Sequence, residues 1–100
     1  MMDEKWLLTM LGFAAKARKA VAGESNVEAA LKKDKVELLI IAVDASAKNK
    51  EHWQRVAEEK NIPLLAAAAQ TEIGLAMGLS PRAIVAVMDR QMKEAILARK

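Results

Sequence analysis

The stretch Val36-Glu37-Leu38-Leu39-Ile40-Ile41-Ala42-Val43 limits what this chain can fold into more than any other. After Glu37 come six apolar residues without a polar interruption. A strand with one face in water would alternate; this one does not. Its length and β-branched content predict a strand buried on both faces, and such a strand needs helices on each side of its sheet.

The rest of the chain supplies them. From Lys5 to Arg18 the apolar Trp6, Leu7, Met10, Leu11, Ala14 and Ala17 recur at helical spacing, which predicts an amphipathic helix with one wide buried face. Gly12 lowers its propensity by about 1 kcal/mol relative to Ala, so it reads as a point of close packing rather than a break. Ala20-Val21-Ala22 is β-like. A second helix runs from about Ser25 to Lys33 with Val27, Ala30 and Leu31 as its buried stripe, and Asp34-Lys35 turns into the apolar run. Asp44 or Ser46 then offers a capping oxygen to a helix from Ala47 to Lys60, with Trp53, Val56 and Ala57 inward. Asn61-Ile62-Pro63 stops that helix and launches a strand from Leu64 to Ala68. Gln70 or Thr71 opens a short helix, and Gly78 sits where a left-handed residue would close it. Leu79 to Arg82 is a loop, Ala83 to Met88 a final buried strand, and Asp89 the cap of a last helix from Gln91 to about Arg99. Strands alternating with helices predict an α/β fold, a three-layer α/β/α sandwich, built as one domain over residues 1–100.

Composition removes several kinds of chemistry. Without Cys, neither a disulfide framework nor a thiolate metal site is available, and a single His makes a histidine metal site or a catalytic triad poor. His52 lies among charged residues and reads as a solvated side chain. There is no P-loop and no Gly-x-Gly-x-x-Gly fingerprint. Asp44 with Ser46 is the nearest approach to a catalytic pair, and both are more simply caps. The expectation is a protein that is not an enzyme and uses no cofactor. Three aromatic residues, Trp6, Phe13 and Trp53, are too few for a platform that stacks single-stranded bases. The net charge of +3 permits a polyanionic partner without requiring one. The charged start Met1 to Trp6 is unlike a signal peptide, and the longest apolar runs are too short to span a bilayer. A cytoplasmic location with no membrane partner is therefore expected.

In sheets of this kind, sites lie beyond the carboxyl ends of strands. Those ends deliver Gly23-Glu24-Ser25-Asn26, Asp44-Ala45-Ser46 and Ala69-Gln70. The loop from Leu79 to Arg82 leads into a strand, so its membership depends on strand direction. The Gly23 stretch supports two readings. It is an ordinary helix start, capped by Ser25 or Asn26 with Glu24 favoured by the dipole. Or it is an anion-receiving end whose N–H groups point outward. Lys16, Arg18 and Lys19 precede it, Lys32 and Lys33 follow, and Arg82 approaches from another loop. These cations are either solvated helix ends or the phosphate contacts of a polar tip docked in an RNA groove.

The order of motifs resembles a known family. Leu8 to Ala14 holds Leu-Gly-x-Ala; Lys19 to Gly23 reads Lys-x-x-x-Gly before a helix; Leu38 to Ser46 is a buried strand ending in Asp-Ala-Ser. Asn61-Ile62-Pro63 and Glu72-Ile73-Gly74-Leu75-Ala76-Met77-Gly78 complete the series. Together, over about Trp6 to Leu97, they resemble the ribosomal L7Ae family of kink-turn RNA-binding proteins, in particular its small bacterial YlxQ-like branch. The resemblance implies a four-stranded mixed sheet and RNA binding without catalysis, linked to ribosomes or translation. It also implies that the start of the second helix enters the widened major groove of a bent RNA, against guanines of tandem sheared G·A pairs. The loops after the central strand and before the last strand would complete the surface. By position these are Gly23, Glu24, Ser25 and Asn26, then Asp44 and Ala45, then Leu79, Ser80, Arg82 and Ala83.

The sequence departs from the family pattern where Ser25, Asn26 and Ala29 stand in place of Asn-Glu and a Lys one turn later. One good base contact is worth about 1–3 kcal/mol. Lys19, Lys32 and Lys33 would restore part of the lost charge. On this reading Gly23→Glu abolishes binding and leaves the fold intact. A second reading is a protein-interaction module on the same fold, its partner lost on mutating Leu79 or Ile84. A third, a small-anion or nucleotide enzyme, rests on the helix tip alone.

Overall fold

Five helices and four strands follow one another: α1 Glu4–Lys16, β1 Ala20–Ala22, α2 Glu24–Lys32, β2 Leu38–Ile41, α3 Ala47–Lys60, β3 Leu64–Ala66, α4 Gln70–Met77, β4 Ile84–Val87 and α5 Arg90–Ala98. They come from a computed structural model that describes residues 3–99; Met1 and Met2 of the charged start, and Lys100, lie outside it.

The apolar run becomes β2, buried at all four positions, although its regular part is shorter than the run. Backbone pairing continues past both ends, with the Glu37 N–H donating to the Val87 carbonyl (2.8 Å), the Ala42 N–H to Ala83 (2.8 Å) and the Val43 N–H to Ala68 (2.8 Å). The four strands form one mixed sheet in the order β1-β4-β2-β3. β4 lies antiparallel to both β1 and β2, while β2 and β3 are parallel. The two inner strands, β4 and β2, are buried throughout, as strands covered on both faces must be.

The crossovers β1-α2-β2 and β2-α3-β3 advance the same way across the sheet, so right-handed connection places α2 and α3 on one face. Glu28 and Leu31 of α2 accordingly line a shallow hollow with Trp53 and Val56 of α3. On the other face α1 packs against α4, and the Arg99 guanidinium after α5 lies 4.1 Å from the centre of the Trp6 ring. The result is the expected α/β/α sandwich, its core filled by Leu7, Leu11, Leu38, Leu39, Ile40, Trp53, Ile73 and Ile96. Among the described residues no helix is long and apolar enough to cross a membrane.

Three caps sit as the residue types suggest: Asp3 accepts from the Trp6 N–H (3.1 Å), Ser46 from Asn49 (3.1 Å) and Asp89 from Met92 (2.9 Å). Two open alternatives are decided. Asp44 does not cap α3, because Ser46 stands one residue before that helix while Asp44 is drawn toward α4. And α4 begins at Gln70, not at Thr71, with the Glu72 carboxylate accepting from the Ala69 N–H (2.9 Å). Gly78 ends α4 with φ 74°, as expected.

Gly12 marks the α1–α4 contact. A Cβ there would stand 2.9 Å from the Ala76 carbonyl oxygen. Ala is the better helix former by about 1 kcal/mol. Gly12→Ala is nevertheless expected to lower the free energy of unfolding by about 1–3 kcal/mol, because overpacking must push two helices apart. Urea denaturation of the pair of proteins measures this; an unchanged or raised midpoint would show that α4 yields freely.

Candidate nucleic-acid interface

Because β4 runs against β1 and β2, its first residue lies at the same edge of the sheet as their last ones. The Gly23 N–H donates to the Ile84 carbonyl (3.0 Å) and the Ala42 N–H to the Ala83 carbonyl (2.8 Å). The Leu79 to Arg82 loop thus joins the Gly23 stretch and the Asp44 loop at one edge, a question that strand direction alone could settle.

Gly23 is the N-cap of α2, with φ 98° and ψ 149°, and no side chain caps the helix. That replaces the expectation of Ser25 or Asn26 as cap. Both belong to the first turn, and the Asn26 Nδ2 donates backward to the Ala22 carbonyl (3.0 Å). The first intrahelical bond runs from the Val27 N–H to the Gly23 carbonyl (2.9 Å), so the N–H groups of Glu24, Ser25 and Asn26 have no acceptor among the described residues. All three residues are exposed. The positive end of a helix is presented to solvent uncapped.

Arg82 lies directly beside it. A Cβ built on Gly23 would be 3.2 Å from the Arg82 Nε. The guanidinium is fixed by its own loop: Nη1 donates to the Ser80 carbonyl (3.0 Å), to the Ser80 hydroxyl and to the Pro81 carbonyl (3.2 Å). Among the described residues it pairs with no carboxylate, so its charge stays uncompensated at the tip. The loop itself is seated on α4, where a Cβ on Gly74 would overlap the Ser80 carbonyl.

The Asp44 loop is tied to the same scaffold. The Asp44 Oδ1 accepts from the Gln70 N–H (2.9 Å), the Gln70 Nε2 donates to the Asp44 carbonyl (3.2 Å), and the Arg82 N–H donates to the Gln70 carbonyl (3.2 Å). Gln70 is therefore the junction of the two loops. Its sequence neighbourhood announces a helix start but not this link, which joins residues 26 positions apart.

Gly23, Glu24, Ser25, Asn26, Asp44, Ser80, Arg82 and Ala83 are thus gathered at one edge. Ala45 is there too but buried, and the Ala83 carbonyl is already engaged by Ala42. Ala29 is exposed one turn further along α2. Lys32 and Lys33 lie at the far end of α2, about 12–15 Å along its axis from Gly23 at 1.5 Å per residue. Lys19 precedes β1 at the opposite edge of the sheet, with its ammonium 3.7 Å from the Asp89 carboxylate. These three cations do not join the tip. On the flank of α2 that faces α3, Glu24, Glu28 and His52 bring donor atoms within 4.8 Å of one another.

A model of the ribosomal protein L7Ae/L30e/S12e/Gadd45 family matches residues 7–97. The chain belongs to this family. Among solved structures, a Bacillus halodurans protein of unknown function is 29% identical, with a TM-score of 0.85 and 96% of each chain covered. The Giardia lamblia 15.5kD RNA binding protein is 23% identical with a TM-score of 0.71, covering 92% of this chain and 78% of that one, a likeness of fold. Comparison with curated proteins gives no match. In this family member the edge holding Gly23 and Arg82 is supported from behind by the link between Asp44 and Gln70, which can be tested, as can the close fit of Gly23 against Arg82.

Asp44→Ala removes the acceptor at the first turn of α4 and is expected to cost about 1 kcal/mol in denaturant unfolding. It should also speed amide exchange across Ala69 to Arg82; slow exchange there would show that the two loops hold position independently. Gly23→Glu is expected to destabilise as well as to block the tip, because φ 98° strains any L side chain and the Arg82 side chain occupies the space. A melting temperature equal to that of the parent would sink that correction of the sequence-based expectation.

Proposed function

We propose that the protein binds structured RNA through the α2 tip, as a kink-turn-type reader without catalytic activity. The observation that carries this reading is the uncapped start of α2 beside the Arg82 guanidinium. Among the described residues, three backbone N–H groups without an acceptor and one cation without a carboxylate partner lie side by side there. Phosphate suits such a surface, since it accepts several hydrogen bonds and carries the opposite charge. Family membership and the RNA-binding Giardia protein of the same fold support it.

Ser25 and Asn26 would meet base edges, and the Asn26 amide has one half engaged by Ala22 and its Oδ1 free of protein partners among the described residues. With Ala29 one turn on, the tip brings one cation fewer than the family pattern, and Arg82 is the charge that replaces it nearest the tip. A ribosome- or translation-associated role in the cytoplasm, and a place in the YlxQ-like branch, accompany this proposal. Asp44, Ala45 and Ala83 act through the shape of the edge.

A protein partner is the second reading, favoured by Leu75 and Leu79, which are 82% and 42% exposed at the end of α4 and just after it.

The test is a titration with a kink-turn RNA and a matched straight duplex at two salt concentrations. Preference for the kinked RNA at both salts is expected, with Arg82→Gln weakening it about 10-fold or more, the loss of one charge-assisted contact of about 1.5–3 kcal/mol. Equal, weak binding of both RNAs would leave a basic surface with no reading of the kink. No binding of either would bring the protein-partner reading forward.

A further inference from the structure

We propose that Glu24 and Glu28 of α2 and His52 of α3 form a site for a divalent transition-metal ion of the Zn²⁺ class, which fastens the start of α2 to α3. The site stands apart from the RNA reading and is tested without RNA.

Glu24 and Glu28 are one helical turn apart, so their side chains share one face of α2. His52 lies across from that face. One oxygen of each carboxylate and one imidazole nitrogen fall within 4.8 Å of one another. Ligand atoms on one tetrahedral ion, at bond lengths of about 2.0–2.2 Å, stand about 3.4 Å apart, so these three need close by about 1.4 Å at most. Both carboxylates are exposed, and rotation about their outer torsions covers that distance. His52 is less free. Its ring meets the Trp53 ring at 77° with the centres 4.8 Å apart, and Trp53 is buried in the core. The imidazole is thus steadied before any ion arrives.

No direct pairing uses up the three groups. None of the ion pairs among the described residues involves Glu24, Glu28 or His52, so the gap between imidazole and carboxylates is left for an ion to bridge. The competing cations are near but unpaired with them. Lys32 and Lys60 line the hollow beside His52 on the side away from the tip, and Lys48 stands one turn before His52. None of the three lysines forms an ion pair with either carboxylate among the described residues. A dication would neutralise both carboxylates at once.

The donor set selects the ion. Imidazole suits Zn²⁺ and its transition-metal neighbours, whereas Mg²⁺ prefers an octahedron of oxygens and keeps several waters. Three protein ligands leave a fourth position for water. A single His makes a histidine-only site poor, and here two carboxylates from a different helix complete the set. With no Cys and no second His in the chain, no thiolate or other imidazole competes for the ion.

The test is a Zn²⁺ titration of the untagged chain, followed by calorimetry and by the ring-proton NMR signals of its one His. It compares the parent with His52→Gln, with Glu24→Gln/Glu28→Gln and with a charge-matched control, Glu51→Gln/Glu58→Gln. Glu51 adjoins His52 in sequence but is held by Arg55 at 2.9 Å, and Glu58 lines a different hollow. The parent is expected to bind one Zn²⁺ per chain with a shift of the His52 signals, undisturbed by excess Mg²⁺. Its melting temperature should rise with Zn²⁺, since an ion held only by the folded chain stabilises it. His52→Gln and the α2 double variant should each weaken Zn²⁺ about 10-fold or more and lose the rise in melting temperature, while their metal-free circular dichroism matches the parent's. The control should keep both. Zn²⁺ binding by the α2 double variant equal to that of the parent would reveal a lone surface imidazole and overturn the site. An equal loss in the control would show that only net charge is at work, which also overturns it. So would a parent whose His52 signals do not move with Zn²⁺, or move equally with Mg²⁺.

Discussion

The direction of β4 is the constraint on which the rest depends. Inserted between β1 and β2 and running against both, it brings the start of one strand to the ends of two others. Two backbone hydrogen bonds close that edge, from Gly23 to Ile84 and from Ala42 to Ala83. They fix where α2 begins relative to the Arg82 loop without help from any side chain. A parallel β4 would have carried Arg82 to the opposite edge, among Arg18 and Lys35, and left the α2 tip with no cation beside it.

The same geometry gives Arg82 an unusual position for a charged group. It is half-buried and held by carbonyl and hydroxyl oxygens of its own loop, not by a carboxylate. Carbonyl acceptors orient a guanidinium without cancelling its charge. An aspartate in their place would orient it equally well and neutralise it. The loop that supplies those oxygens rests on α4 at Gly74, and α4 is tied at its first turn to Asp44. The cation is therefore ordered before any partner arrives, which removes part of the entropy cost of binding.

Most of the architecture was legible in the sequence because it follows from local pattern. The run at Val36 to Val43 announces a doubly buried strand, and Leu7, Leu11 and Ala14 announce the buried stripe of α1. Ser46 and Asp89 announce their caps. What was not legible depends on residues distant in the chain. Asp44 and Ser46 are both good capping residues two positions apart, and only the approach of Gln70 decides that Asp44 serves α4. Ser25 and Asn26 are common caps, but the pairing of Gly23 with Ile84 brings the helix start forward and puts them inside its first turn. Of the cations, Arg82 could be assigned to the tip only once strand direction was known, and Lys19, Lys32 and Lys33 were drawn to it by sequence proximity alone. Proximity in sequence misleads there, because a helix carries its two ends to opposite edges of the sheet.

That separation also gives α2 its electrical character. The helix dipole makes its start mildly positive and its end mildly negative, and Lys32 and Lys33 at the end offset the negative pole. Along the helix, then, both poles present positive charge to solvent. Across it, Glu24 and Glu28 turn toward α3, with Lys32 further along the same flank, while Ala29 and Lys33 turn toward β1. Glu24 sits at the very tip, where a carboxylate is favoured by the dipole but opposes an incoming phosphate. Its placement on the α3 side resolves the conflict: it stabilises the helix start from one flank and leaves the other flank, with Arg82 and the uncapped N–H groups, open to an anion. On the proposed RNA reading, a charge at position 24 would set the direction of approach as well as the stability of the helix.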